Sequence, residues 1–501
     1  MAMIAQRLGF STVLIERGRH PRFVIGESST PLANLLLEEI AQEYDLPNIR
    51  PLCKWGAWQR QLPQIVCGLK RGFTFYHHEF DRHFENDDPR RSQLLVGASP
   101  NEDIADTHWY RPDFDHYFVE QVQSLGVTYW DETELTSARE ESNGIRLAGS
   151  RPGAPLEITS DFVIDASGSR GFLVRALGRG EKSLPGLPPT QALFSHFDNV
   201  ASFSDRISNL TAIPPYPPEQ AAVHHVFPGG WIWVLRFNNG ITSAGVASTD
   251  TVAEQFEFKS GAMGWERLLQ RLPSVAGVFR DARPVRPFIH VPRLAFQSNV
   301  VAGSRWALLP SAAGFVDPLL STGFPLTLLG VTRLGRLLRL NWNKPNFRTE
   351  LAFYAEQTSL ELETCSRLVG ALYASMDRFD VFKQLTLLYF AASSYSETVR
   401  RLGKPELASG FLLCRHPTFV AELQTICEAA CESRPMQSTR FKQCVRTTIE
   451  PFDVAGFTDE SRDPFYPALA SDLLGSAPKV GATRDEIMMM LARCGLQSEG
   501  H

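Results

Sequence analysis

The chain has 501 residues, 43% of them hydrophobic and 21% charged, with a formal net charge of -5. That is enough for a large core in two or three lobes, in ordinary globular proportions. It offers no overall basic field for nucleic acid or an anionic membrane surface.

No apolar run reaches the ~18 residues of a membrane-spanning helix. The first residues also lack a basic stretch followed by an apolar leader. Eight cysteines, at 53, 67, 365, 414, 427, 431, 444 and 494, form no CxxC pair. Cys427 and Cys431 lie one helical turn apart with no second pair to complete a zinc site. The expectation is reduced thiols, a cytoplasmic protein and no metal. Thirty-three Phe and nine Trp would suit a large flat ligand, or simply a large core.

In chain order, "MAMIAQRLGF" reads as the end of a helix broken at Gly9, followed by a strand over 11–15 that ends in Glu16-Arg17. A dinucleotide-binding unit would place a strand and a Gly-rich turn before that helix, and a carboxylate at the end of its second strand. No GxGxxG occurs here, so the first strand and turn are expected to be missing. Thr30 and Pro31 suit the N-cap and first position of a helix whose apolar face is Leu32, Leu35, Leu36, Ile40 and Tyr44. "GLKRGFTFYHHE" and "SQLLVGAS" read as strands. "RPDFDHYFVEQVQSLGV" reads as a helix stopped at Gly126.

"FVIDASGSRG" is a buried strand entering a Gly turn. The stretch 222–248 reads as a hairpin turned at Asn239-Gly240. Trp231, Trp233, Leu235 and Phe237 share one strand face; Ile232, Val234 and Arg236 share the other. An apolar run at 306–309 leads through "GFVDPLLSTGF" into a helical pattern over 327–340. From about 345 the pattern is mainly helical.

Six segments, "IERGRHPRFVIGESSTP", "LKRGFTF", "HWYRPDFD", "VIDASGS", "GGWIWVLRF" and "GFVDPLLSTG", stand in the order of similar segments in the flavin-dependent halogenases, a tryptophan halogenase-like branch of the FAD monooxygenases. The resemblance covers roughly residues 1–345. It implies an α/β chain with an FAD-binding, three-layer Rossmann-like fold of the aromatic hydroxylase type, a mixed-sheet substrate region and a C-terminal helical lobe. The expected division is 1–185 for FAD binding, 186–300 for substrate, 301–345 returning to FAD, and 346–501 for the helical lobe.

The resemblance also implies roles. Lys70 would be catalytic, taking hypohalous acid made from oxygen and halide at reduced FAD. It could act as an ammonium donor or as an amine; alone, a strand lysine reads as a solvated face. Trp231 and Trp233 would wall off the flavin, or be plain core aromatics. Ser321, Thr322 and Gly323 would cradle the halide at a helix start; alone they read as a cap. Glu16, Arg17, Gly26, Glu27, Ser28, Arg111, Asp165, Gly168 and Asp317 would serve the cofactor. Glu16 could bind ribose hydroxyls, Arg111 the phosphate or ribityl side, and Gly168 would let backbone approach the nucleotide.

Three departures from the family pattern stand out. Leu235-Arg236 replaces Ile-Pro after the tryptophans. Pro310-Ser311 replaces Gly-Asp. Leu320 stands where the tryptophan-type enzymes carry Glu, which points to a phenol, a pyrrole or another electron-rich aromatic, free or carrier-bound, rather than free tryptophan. The expected partners are a separate flavin reductase, chloride or bromide, and that substrate. The rival readings are an FAD monooxygenase that hydroxylates or epoxidises, and an inactive FAD-fold protein.

Overall fold

The computed structural model describes residues 1–207, 213–432 and 436–496. Helix α1 (Ala2–Arg7) buries Met3 and Ile4 and hands over to a short strand, β1 (Val13–Ile15). Helix α2 (Pro31–Glu43) starts where the sequence predicts. Thr30 Oγ1 accepts from the Ala33 N–H at 3.2 Å, and Pro31 occupies the first position, where its missing N–H costs nothing.

β2 (Cys67–Lys70) and β3 (Gly72–His77) arise from a single predicted strand that breaks at Arg71. β4 (Gln93–Gly97), β5 (Asp106–Trp109) and helix α3 (Arg111–Ser124) follow. β6 (Thr128–Trp130) pairs in parallel with β1. β7 (Glu134–Glu141), β8 (Gly144–Arg151) and β9 (Ala154–Ser160) form an antiparallel meander. β10 (Val163–Asp165) pairs in parallel with a strand that lies much later in the chain.

The body of the molecule is a nine-stranded mixed sheet. Its strands include β11 (Thr190–Asp198), β12 (Ala222–Phe227), β13 (Gly230–Arg236), β14 (Thr242–Thr249), β15 (Arg283–Pro284) and β16 (Ile289–Val291). The order is β15-β11-β14-β13-β12-β3-β4, with β16 also on β11. The partner of β10 is β17 (Trp306–Leu308). The far edge beside β4 is filled by β18 (Phe465–Tyr466).

The stretch expected as one hairpin is in fact three strands, β12 to β14, because Pro228-Gly229 makes a second turn. The Asn239-Gly240 turn is present, with Gly240 at φ 82°. Strands β3, β4 and β18 enter the sheet from outside 186–300, so chain segments that look separate in sequence are hydrogen-bonded into one layer.

β13 reads as an almost continuous apolar run because both its faces are covered. Trp231, Trp233 and Leu235 join the main core, while Ile232 and Val234 join a second core with Phe197, Trp265 and Leu268. Arg236 lies on that second side and donates to the carbonyls of Val200 (2.8 Å) and Ala201 (2.6 Å). The indole of Trp233 fills the space over Gly245, where an added Cβ would lie 2.4 Å from it and 2.3 Å from Phe194. Gly245→Ala is therefore expected to cost about 1–3 kcal/mol through overpacking. A urea titration, with the near-ultraviolet circular dichroism of the tryptophans as readout, would show this as a lower midpoint.

Helix α4 (Gly323–Asn341) packs on α2 and on α5 (Phe347–Tyr373). Helix α6 (Phe379–Arg401) crosses both α2 and α5 and is buried along most of its length. α7 (Pro417–Cys431) and α8 (Arg484–Cys494) also belong to the lobe, α8 opening on a capping box between Thr483 and Glu486. Among the described residues no helix is long and apolar enough to cross a membrane, and no cluster of metal-ligating side chains occurs. All eight cysteines are free thiols.

Candidate active site

Lys70 ends β2, directly across the ladder from Asp106 of β5. Lysine in a strand usually faces water, but this one is 0% exposed. The reason is close packing over β2: a Cβ on Gly68 would lie 2.0 Å from the Arg236 carbonyl oxygen, so β13 backbone roofs the strand. The three ammonium protons match three acceptors, namely Ser28 Oγ at 2.8 Å, the Ser29 carbonyl, and Ser321 Oγ at 3.4 Å. The Nζ also lies 3.8 Å over the Phe73 ring. Burial lowers the Lys70 pKa to about 7, against the pull of Asp106. The same burial raises the Asp106 carboxyl to about 7, against the pull of Lys70.

The segment supplying Ser321 is a loop with almost no solvent contact. Val316, Asp317, Leu319, Leu320 and Thr322 are all buried. A buried loop must satisfy its polar groups internally. Asp317 does much of this: Oδ1 accepts from the Leu319 N–H (2.9 Å) and Trp231 Nε1–H (3.3 Å), and Oδ2 accepts from Tyr373 O–H (2.9 Å). Burial still pushes its carboxyl up to about 7, against those three donors. Leu320 and Ser321 sit consecutively in the left-handed region, at φ 62° and 55°. Two branched or hydroxylated residues there store strain that only surrounding structure can hold. Tyr389 O–H holds it by donating to the Leu320 carbonyl at 2.9 Å. The first N–H groups of α4, from Gly323 onward, have no acceptor within the helix.

Trp231 and Trp233 stand on one face of β13 with ring centroids 5.7 Å apart, and His224 stacks on Trp231. Through Asp317, the tryptophan face, the 314–323 loop and Lys70 form one connected cluster.

Of the remaining expected residues, Glu16 and Arg111 are linked through Arg22 and Asp115, and Asp165 stands at the end of β10. Glu16 closes the β1 turn, accepting from the Gly18 N–H (2.7 Å) and from Arg22 (3.0 Å). Arg17 beside it is exposed. Arg111 is a clamp: its Nε and Nη2 grip Asp115 at 2.7 and 2.9 Å, and its Nη1 donates to the Gly26 carbonyl. Glu27 is buried against His196 at 2.7 Å. Asp165 organises its own turn by accepting from Ser167 N–H and Oγ–H and from Leu173 N–H.

These residues fit a dinucleotide. Glu27 Oε2 and Arg22 Nε are buried with no hydrogen-bond partner among the described residues. Gly168 (φ 76°) has nothing within 4 Å of where a Cβ would stand. The strand pairs β1–β6 and β10–β17 remain separate two-stranded ladders.

Beyond Lys70 lies a cavity of about 170 Å³. Its wall draws on β5 (Asp106), β3 (Phe73), the start of α2 (Thr30) and the helical lobe (Tyr389, Phe390, Phe411). Sequence reasoning missed Asp106, Tyr373 and Tyr389. Asp106 opens β5, two residues before "HWYRPDFD", in a strand that reads Asp-Thr-His-Trp, so the sequence does not mark its carboxylate as buried.

The sequence matches the family described as tryptophan halogenase over residues 108–385, more than half of the chain. The chain belongs to that family. This halogenase is 28% identical to monodechloroaminopyrrolnitrin halogenase PrnC of Pseudomonas fluorescens over 395 residues, 77% of this chain and 68% of the relative. It is 26% identical to tetracycline 7-halogenase of Kitasatospora aureofaciens over 411 residues, 78% of this chain and 71% of the relative. The fold matches that of halogenase PltM in complex with phloroglucinol and FAD, with a TM-score of 0.78, 22% identity, and 93% and 96% of the two chains covered. Membership of the family makes the chain an FAD-dependent halogenase.

Proposed function

We propose that this chain halogenates an electron-rich aromatic in the cavity beyond Lys70, with Lys70 as the catalytic residue. The observation that carries this is the position of the ammonium. On one side it touches Ser28 and Ser321, the expected cofactor and halide residues; on the other it touches Phe73, which lines the cavity. Glu16, Arg17, Gly26, Glu27, Ser28, Arg111, Asp165, Gly168 and Asp317 would hold FAD or the backbone around it. Bound and reduced, FAD would supply two electrons to oxygen, and the halide would supply the other two as it is oxidised to hypohalous acid with release of water. Ser321, Thr322 and Gly323 at the start of α4 would hold the halide, where unpaired N–H groups favour an anion. Trp231 and Trp233 would keep the substrate from the flavin face.

Lys70, with a pKa lowered to about 7 by burial, can present either an ammonium proton or an amine at neutral pH. A separate flavin reductase would deliver reduced FAD, and the eight free thiols fit a reducing, cytoplasmic setting. One relative acts on a pyrrole held on a peptidyl carrier protein; a carrier-bound aromatic is within the proposed substrate class.

Incubating the protein with FAD, a flavin reductase, NADH and chloride, over a panel of phenols and pyrroles, should give products carrying the chlorine isotope pattern. Products that gain oxygen and do not depend on halide would reject the proposal.

A further inference from the structure

Asp106 lines the cavity yet is only 6% exposed. Its Oδ1 accepts from Asn34 Nδ2 at 2.8 Å. Its Oδ2 is buried with no hydrogen-bond partner among the described residues. An unsatisfied carboxylate oxygen in a low-dielectric wall is costly, and native structures rarely leave one without a purpose.

The other charged groups on the wall are committed within the chain. Lys54 donates to the Cys494 carbonyl at 3.0 Å, and Glu397 pairs with Arg401 at 2.7 Å. Asp106 therefore presents the open acceptor. Lys70 stands across the ladder and already attracts its carboxylate electrostatically, while its own protons go to Ser28, Ser29 and Ser321. A second cation would duplicate that charge, whereas a neutral O–H or N–H would complete the hydrogen bonding. Phe73, Phe390 and Phe411 on the same wall offer ring faces beside it.

We propose that Asp106 is a specificity-determining residue that accepts a hydrogen bond from an O–H or N–H carried on the aromatic ring of the substrate. Phe73 touches both the cavity and the Lys70 ammonium, so a ring anchored on Asp106 lies beside the lysine. This rests on the cavity being the substrate site, and it narrows the substrate class to phenols, anilines and N–H heteroaromatics.

The test is binding. 2-Naphthol and its methyl ether, 2-methoxynaphthalene, are titrated into the protein with intrinsic tryptophan fluorescence as readout. A hydrogen bond to a buried charged acceptor predicts that the naphthol binds roughly tenfold to a hundredfold more tightly than the ether. In Asp106→Asn, which can still accept from Asn34, the preference should collapse to within about threefold. Asp106→Ser should do the same if the Asn variant does not fold. Equal affinity for the two probes in the native protein, or an undiminished preference in the folded variants, would overturn the inference. The proposed function is judged separately by halide-dependent product. Halogenated product with no naphthol preference rejects Asp106 alone; a clear preference with no halogenated product rejects the proposed reaction and leaves Asp106 as a ligand anchor.

Discussion

Lys70→Met is expected to lower halogenated product by roughly 10²–10⁴-fold, the range that removal of a positioned proton-transfer group commands. The fold should stay intact. The ammonium is 0% exposed and pays desolvation throughout. Replacing it by an apolar side chain of similar length removes that cost, and burial lets the Asp106 carboxyl take up a proton once Lys70 is gone, rather than stand as an isolated buried charge. Arginine should not rescue: its planar fork cannot follow the compact ammonium among Ser28, Ser29 and Ser321.

The pH dependence supplies a second readout. The folded pKa of Lys70 lies near 7, below the free-lysine value of 10.5. Between those values the unfolded chain holds a proton that the folded chain does not, so this lysine makes stability rise with pH across that window. In Lys70→Met this contribution disappears. Urea melts from pH 7 to 10 on both proteins measure it; identical slopes would refute the buried, depressed lysine.

Asp317→Val should be the most destabilising single change in the site, at about 3–5 kcal/mol. It leaves three buried donors, on Trp231, Leu319 and Tyr373, without an acceptor, and each costs on the order of 1–3 kcal/mol before relaxation. Asp317→Asn keeps an acceptor for two of them and should cost about 1 kcal/mol. The pH trend here runs opposite to that of Lys70. The folded Asp317 carboxyl is raised to about 7, so the folded chain holds a proton that the unfolded chain loses above about 3.8. Its contribution therefore favours folding least above pH 7 and grows as pH falls toward 4. Asp317→Asn should flatten that limb. Chemical denaturation at pH 5 and pH 7.5 compares the two, and a wild-type limb that survives in the Asn variant would show that Asp317 is not its source.

Much of this could be read locally. The Thr30-Pro31 helix start, the two faces of β13, the Gly turn after Asp165 and the helical lobe all follow from short-range rules of capping, parity and turn chemistry. What stayed hidden was set by partners distant in sequence. Lys70 and Ser321 are 251 residues apart, and nothing in "GLKRGFTF" says that its lysine is closed over by Ser28, Ser29 and Ser321. Asp106 looks like the polar start of an already polar strand until β2 is laid against β5. The extra β12–β13 turn was passed over because Asn-Gly is the louder signal, although Pro228-Gly229 turns the chain as sharply. Tyr373 and Tyr389, on helices assigned only to cover the pocket, were invisible for the same reason: periodicity reports that a helix has a buried face, not which hydroxyl on it meets which carbonyl.

The bond from Tyr389 to the Leu320 carbonyl has a practical side. Tyr389 also lines the cavity. A tyrosine there is at once wallpaper for the guest and the latch on a cocked hairpin of left-handed backbone. Anyone widening the pocket at this position to admit a bulkier aromatic also releases the latch, so a variant library should leave residue 389 alone and carve its space from Phe390 and Phe411 instead.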